Sequence, residues 1–157
     1  MATITGITGK QFVQDASQAY QDNKYQYATS SHGDDHNMHP QIVIYAASRD
    51  DISKAIKYAN DNKIAVAVRT GGHQYSGASS TQAPNIQLDL SKTFRDPNID
   101  RKIFQTPDHR TLVRTSISWA LGEFNEYLKN NKVFVPHGQC THGKSYSSRY
   151  APFEPAD

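Results

Sequence analysis

Two short apolar runs separated by one amphipathic segment constrain the fold of this chain more than any other feature. Ile42-Val43-Ile44-Tyr45 and Ile64-Ala65-Val66-Ala67-Val68 have the length and the β-branched composition of buried strands. Between them, Ser48-Arg49-Asp50-Asp51 is typical of a helix start, because the Ser side chain accepts from free backbone amides and the acids suit the positive helix end. A strand-helix-strand unit predicts two parallel strands, which we expect to be neighbours.

The remaining segments predict further short elements. Gly9 to Asn23 has the spacing of a polar helix, and Asn85 to Leu90 alternates as a strand with one solvent-facing side does. Asp96 to Arg110 is charged and rich in turn residues, and it precedes a second strand-helix-strand pattern. That pattern consists of a strand at Leu112–Thr115, a helix capped by Ser118 and a strand at Val133–Val135. The sequence therefore predicts an α+β fold with helices packed on a small mixed sheet.

Length, charge and cysteine content exclude several classes of protein. The 157 residues suffice for one domain, and 17 basic and 15 acidic residues are mixed along the chain without a basic run. Nucleic acid and membrane are therefore not expected partners. No signal peptide and no membrane-spanning run is visible, so we expect a soluble, by default cytoplasmic chain. The single cysteine excludes an internal disulfide framework.

A glycine- and serine-rich loop, Thr70 to Ser80, follows the second strand directly. Adjacent glycines such as Gly71 and Gly72 let successive backbone N–H groups converge on an anion, for example a diphosphate, and Arg69 would add positive charge. Taken alone, a Gly-Gly turn is more often structural. The loop contains neither a P-loop nor the dinucleotide fingerprint Gly-x-Gly-x-x-Gly.

The segment from Val66 to Gly77, centred on Arg69-Thr70-Gly71-Gly72-His73, resembles the flavin-attachment segment of the berberine-bridge-enzyme-like oxidases. These are vanillyl-alcohol-oxidase-type flavoproteins with a PCMH-type FAD-binding domain. The resemblance covers roughly residues 39–142, which would form the N-terminal part of such a domain. Residues 1–38 would be a preceding helix and loop, and residues 143–157 read as a disordered tail unrelated to the family.

The resemblance implies a role for each residue of the motif. His73 matches the histidine that bonds covalently to the 8-methyl carbon of the flavin, and a neutral imidazole nitrogen is a suitable nucleophile near neutral pH. Cys140 matches the cysteine that forms a second, thioether bond at ring position 6 in some members. Read without the family, His73 is an ordinary loop residue and Cys140 a small buried hydrophobe. The implied FAD-binding residues are Arg69, Thr70, Gly71, Gly72, His73, Gln74, Tyr75, Ser76, Gly77 and Cys140.

The resemblance also implies an activity: an FAD-dependent oxidoreductase that oxidises a small organic substrate by hydride transfer to covalently bound flavin. After Cys140 the chain has Thr141-His142 and then departs from the family pattern. The family's catalytic base lies beyond this point, so no catalytic residue is assigned. The alternative is a truncated, inactive fragment without stable flavin binding.

A histidine-rich loop is the other candidate site. Its imidazoles and carboxylates are possible zinc or nickel ligands. Their spacing matches no known site and no cysteine accompanies them, so a solvated loop is the stronger interpretation and no metal is predicted. The residues concerned are His32, Asp34, Asp35, His36 and His39.

Overall fold

The structure is a computed structural model, and it describes residues 2–25, 38–74 and 76–137. These residues divide into two compact units, Met1–Thr93 and Phe94–Asp157. Tyr75, Cys140, the cluster members His32, Asp34, Asp35 and His36, and the predicted tail lie outside the described residues. Within the described ranges, none of the helices has both the length and the apolar character that crossing a membrane requires.

The described residues of the first unit form a four-stranded mixed sheet and two helices. Its elements are β1 (Lys10–Val13), α1 (Gln18–Lys24), β2 (Ile42–Tyr45), α2 (Arg49–Asp61), β3 (Val66–Arg69) and β4 (Ile86–Asp89). The sheet order is β1-β2-β4-β3, with β1 antiparallel to β2 and the other pairs parallel. This confirms the predicted α+β fold with a small mixed sheet.

The predicted neighbourhood of β2 and β3 is wrong, because β4 lies between them. The two strands are parallel, as expected, but each forms its hydrogen bonds with β4. All four residues of β4 are buried, and the solvent-facing side predicted for this strand is wrong too. Gln87 donates from Nε2 to the carbonyl of Ala67 at 3.0 Å, so its alternation with apolar residues reflects two buried faces of different polarity.

The predicted helix from Gly9 to Asn23 is also wrong over its first half. Residues Lys10–Val13 form strand β1, because they pair with the open edge of β2 and because the Phe12 ring contacts the Tyr45 ring edge-on at 5.9 Å. The helix itself is limited to Gln18–Lys24 and begins at Ser17, whose hydroxyl accepts from Tyr20 N. Tertiary pairing here outweighs the helical spacing of the apolar residues.

Up to residue 137, the second unit contains one hairpin and one helix. Strands β5 (Arg101–Gln105) and β6 (Thr111–Thr115) are antiparallel, and α3 (Leu121–Asn130) packs an apolar stripe that includes Phe124. Strand β5 lies in a stretch expected to be turns. Residues 133–135 form no strand, so that prediction is wrong; Val133 and Val135 instead pack against the α3 stripe.

The start of α3 differs from the expectation as well. Its N-cap is Ala120, whose backbone N–H donates to Glu123 Oε2 at 2.8 Å. Ser118, the predicted cap, is fully buried and its hydroxyl accepts from Phe94 N at 3.2 Å. The hydroxyl therefore stabilises a loop rather than the helix end.

Candidate functional site

A row of polar side chains crosses the first unit's sheet at the carboxyl ends of its parallel strands. Lys10, Tyr45, Asp89 and Arg69 are in register across β1, β2, β4 and β3. Laterally paired residues project from the same face of a sheet, so the four side chains share one face. We call this set the polar row. Ligands of open α/β sheets bind outside the carboxyl ends of the parallel strands, which is where this row lies.

Arg69 is the most highly connected member of the polar row. Its side chain is buried, and Nε donates to Asp89 Oδ2 at 2.6 Å. One terminal nitrogen donates to the carbonyls of Lys24 and Tyr25 at 3.2 and 3.1 Å. The other donates to the carbonyl of Asn23 at 2.7 Å and to the hydroxyl of Tyr45 at 3.2 Å. Because a guanidinium has five N–H groups, this arrangement uses all of them within the protein.

The glycine loop leaves β3 immediately after Arg69. Gly72 is buried and has φ of 68°, a conformation that side-chain-bearing residues adopt rarely and at a cost. The carbonyl of Arg69 accepts from Leu90 N at 2.9 Å, which fixes the point where the loop begins. The local structure therefore requires glycine at position 72, where the loop presents backbone and no side chain.

The remaining motif residues lie further along the loop. His73 is half-buried, whereas Gln74 and Ser76 are exposed. Gly77, with φ of 76°, donates to the carbonyl of Gln74 at 3.2 Å and closes a turn. The cofactor-binding roles of these residues stay predictions.

A cavity of about 660 Å³ opens beside the polar row and the glycine loop. This volume is typical of pockets for small organic ligands, which run from about 300 to 1,000 Å³. Among the described residues, Thr70, Gly71 and Gly72 of the motif line it, and His73 does not. Its wall includes Arg69 but offers none of that side chain's donors to a ligand.

Most of the cavity wall comes from residues that the sequence did not indicate. They belong to the N-terminal segment and to the ends of β2 and β4. These parts of the chain precede or follow the apolar runs from which the strands were predicted. The sequence signal that could have indicated these residues is positive charge near the strand ends, at Lys10 and Lys92. The lining residues outside the motif are Thr8, Gly9, Lys10, Phe12, Asn23, Tyr25, Tyr45, Ala47, Asp89, Ser91 and Lys92.

The cavity carries an excess of positive charge. Its charged lining residues are Lys10, Arg69, Lys92 and Asp89, and the Arg69–Asp89 ion pair is neutral as a unit. Two ammonium groups therefore remain uncompensated by a lining carboxylate. Lys92 Nζ lies 5.6 Å from the centre of the Tyr45 ring. Burial raises the pKa of Tyr45 more than neighbouring Arg69 lowers it, so the hydroxyl stays protonated beside these cations.

Asp51 holds another part of the cavity wall in place. Its carboxylate is fully buried and accepts from the backbone N–H groups of Thr8, Gly9 and Ala47 at 2.8, 3.0 and 2.9 Å. Burial alone would raise the pKa of Asp51, but these hydrogen bonds lower it below its ordinary value. A side chain added at Gly9 would meet the carbonyl oxygen of Tyr45 at 1.9 Å, so the segment passes the strand too closely for any residue but glycine.

His39 is the one member of the histidine-rich loop that the structure describes, and it contacts Lys24 and Tyr25. His39 Nε2 lies 3.2 Å from Nζ of the buried Lys24, and its ring contacts Tyr25 edge-on. The described residues contain no group of three or more potential metal ligands.

Comparison with known proteins gives one family. Residues 40–144 match the family model described as FAD binding domain. The mitochondrial cytochrome D-lactate dehydrogenase of Arabidopsis thaliana is 26% identical over 97 residues, covering 62% of this chain and 16% of the dehydrogenase. The (R)-6-hydroxynicotine oxidase of Paenarthrobacter nicotinovorans is 34% identical over 55 residues, covering 35% of this chain and 12% of the oxidase.

The fold is similar to that of solved structures as well. The crystal structure of 6-hydroxy-D-nicotine oxidase from Arthrobacter nicotinovorans superimposes with a TM-score of 0.68 at 20% identity, covering 92% of this chain and 28% of that one. The chain therefore spans less than a third of the length of each of these relatives.

Proposed function

The chain belongs to the family of FAD-binding domains, and on that premise we propose that the cavity beside Gly71 and Gly72 holds the diphosphate portion of FAD. One observation carries this proposal: a buried glycine with positive φ, Gly72, stands at the carboxyl end of a parallel strand in the wall of a positively charged cavity. Backbone amides in such a turn, with nearby ammonium groups, are suited to a doubly charged diphosphate.

The residues present fit this cofactor. Lys10 and Lys92 supply charge, and Thr70 and Ser91, whose hydroxyls are possible hydrogen-bond donors, line the same cavity. Arg69 does not act as a direct ligand in this proposal, because its N–H groups are used within the protein. Its charge instead balances Asp89, which would otherwise repel a phosphate.

We further propose that His73 attaches the flavin covalently. It follows Gly72, the last motif residue of the cavity wall, and a neutral imidazole can act as nucleophile. A ring nitrogen of His73 would supply the nucleophile for a C–N bond to the 8-methyl carbon, and this bond would replace one methyl C–H bond and the imidazole N–H bond. Dioxygen would take up the two electrons and two protons released, as hydrogen peroxide. Cys140 remains a proposed second attachment point.

The activity proposed for the whole protein is oxidation of a small organic substrate. Bound flavin supplies the hydride acceptor for such a reaction. The described residues would bind and orient the cofactor, and no catalytic base is assigned among them. Since the chain spans less than a third of its relatives, this activity is proposed for a protein that includes it.

Reconstitution with FAD tests both levels of the proposal. Titration of the full chain with FAD, followed by fluorescence, measures reversible binding, and acid precipitation then shows whether flavin stays with the protein. We expect saturable binding and acid-stable flavin that His73→Ala abolishes. His109→Ala, at an exposed turn of the second unit, is the matched control and should retain it. Absence of any FAD binding would favour the alternative, a fragment without stable flavin binding.

A further inference from the structure

The guanidinium of Arg69 joins two parts of the first unit that are far apart in sequence. On one side it bonds to the polar row through Asp89 and Tyr45. On the other it bonds to three consecutive backbone carbonyls, those of Asn23, Lys24 and Tyr25. We propose that Arg69 is a positioning residue that holds the segment 23–25 as a wall of the flavin cavity. This inference rests on the proposed function of the cavity.

The three carbonyls need an external donor because they lie at a helix end. Helix α1 ends at Lys24 with Tyr25 as its C-cap, and the last carbonyls of a helix have no partner within the helix. They also carry the partial negative charge of the helix terminus, which a cation stabilises. Arg69 supplies both the donors and the charge, in a place where its side chain is buried.

The segment held in this way belongs to the cavity. Asn23 and Tyr25 are both lining residues. Neither lies within residues 40–144, which match the family model. Part of the cofactor site therefore belongs, in this proposal, to the N-terminal segment. The position of that segment depends on Arg69, the first residue of the Arg-Thr-Gly-Gly-His motif.

The shape of the side chain explains why arginine stands at this position. One carboxylate, one hydroxyl and three carbonyls surround it, and they take five N–H groups in a planar fork. Lysine has three N–H groups around a single point and can satisfy only part of this set. Residues earlier in α1 have another anchor, since the Tyr20 hydroxyl donates to the carbonyl of Pro40 at 2.7 Å. Loss of Arg69 should therefore release residues 23–25 and leave Tyr20 in place.

Limited trypsin digestion of the full chain tests this positional role. Lys24 is buried, so release of fragment 1–24 requires local opening of the segment, whereas Lys57 is 77% exposed and gives an internal reference in the same digest. In Arg69→Met we expect release of fragment 1–24, relative to cleavage after Lys57, to accelerate about fivefold or more. Arg69→Lys should fall between Arg69→Met and the unchanged chain. Arg95→Met is the matched control, because Arg95 also binds a carboxylate and a carbonyl but in the second unit.

FAD titration of the same variants tests the consequence for the site. Arg69→Met should weaken FAD binding about tenfold, Arg69→Lys less, and Arg95→Met not at all. Tyr25→Ala removes a side chain of the wall and keeps the backbone carbonyl that bonds to Arg69, so it should weaken FAD binding. This variant is followed by FAD binding alone, because the centre of the Tyr25 ring lies 4.4 Å from Lys24 Nζ, at the cleavage site. This variant, with Arg69→Lys, decides the matter if Arg69→Met does not fold.

Each other outcome overturns the inference in a recognisable way. Weaker FAD binding in Arg69→Met with an unchanged digestion rate would make Arg69 a direct ligand. Faster digestion with unchanged FAD binding, or full affinity in Tyr25→Ala, would remove segment 23–25 from the site while the proposed function stands. If the unchanged chain binds no FAD, the proposed function fails, and the digestion alone decides whether Arg69 holds the segment.

Discussion

Replacement of Asp51 by alanine should destabilise the first unit by about 3 kcal/mol. The carboxylate accepts from three backbone N–H groups, those of Thr8, Gly9 and Ala47. A buried donor left without a partner costs about 1–3 kcal/mol. We use the lower end, about 1 kcal/mol for each donor, because all three residues line the cavity, where water can reach them. Since small domains are stable by only about 5–15 kcal/mol, this loss should be readily measurable.

Urea denaturation followed by circular dichroism measures this free energy of unfolding. Trp119, the only tryptophan, lies in the second unit, so its fluorescence follows that unit in the same samples. Asp50→Ala is the matched control: Asp50 is the neighbouring acid, but it is 69% exposed and paired with Lys54 on the surface. Such pairs contribute at most about 1 kcal/mol. If the two variants differ by less than about 1 kcal/mol, Asp51 does not hold this wall.

The same residue gives a pH dependence with a defined sign. Hydrogen bonds lower the pKa of Asp51 below its ordinary value of 3.8 in the folded chain. A group of this kind stabilises the fold above pH 3.8 and loses its contribution as the pH falls from there through the lowered pKa. Asp51→Asn cannot titrate, so its free energy of unfolding should fall less steeply below pH 3.8 than that of the unchanged chain. Equal slopes in the two proteins would contradict the assignment.

Three further predictions concern the cavity and α1. Gly72→Ala should weaken FAD binding about tenfold, since it strains a left-handed turn in the cavity wall. Gly6 has a similar positive φ but lies outside the wall, so Gly6→Ala should leave FAD binding unchanged. Equal FAD affinities of the two variants would refute this prediction. Replacing both Lys10 and Lys92 by glutamine should weaken FAD binding and reduce the dependence of FAD affinity on salt concentration. Binding of riboflavin, which lacks phosphate, should stay unchanged. If the salt dependence of FAD affinity is unchanged, neither lysine belongs to the site. Burial raises the pKa of Tyr20 to about 12, so the fold should lose stability as the pH rises from 10 towards 12, and less so in Tyr20→Phe, as urea denaturation at several pH values would show.

Local sequence patterns predicted the elements in which each face keeps the same environment along the whole element. The first three residues of strand β2 are buried, and the strand reads as a continuous apolar run. Ser48 caps α2 by accepting from Asp51 N, as its sequence signal indicates. The apolar stripe of α3 is likewise visible in the sequence, because one face of the helix packs and the other meets solvent. Such features depend on interactions over a few residues, which a single sequence records.

Features set by distant partners could not be predicted in this way. The sequence of β1 has helical spacing, and the residues form a strand because they pair with the edge of β2. The sequence of β4 predicts one exposed face, because nothing local shows that its polar residues have buried partners. The glycine loop was recognised through family resemblance, and Arg69 was expected to face a diphosphate. Three of its five partners are carbonyls more than forty positions earlier, and these leave no local trace.

The position of β4 has a consequence for the order in which the first unit can assemble. It is the last of the four strands in sequence, yet it lies inside the sheet between β2 and β3. Until residues 86–89 are available, β2 has only β1 beside it, and β3 has no strand partner among the described residues. Asp89, the counter-charge of Arg69, arrives with the same strand. We therefore expect the sheet and the polar row beside the cavity to form together, in a late folding step that depends on contacts between distant parts of the chain.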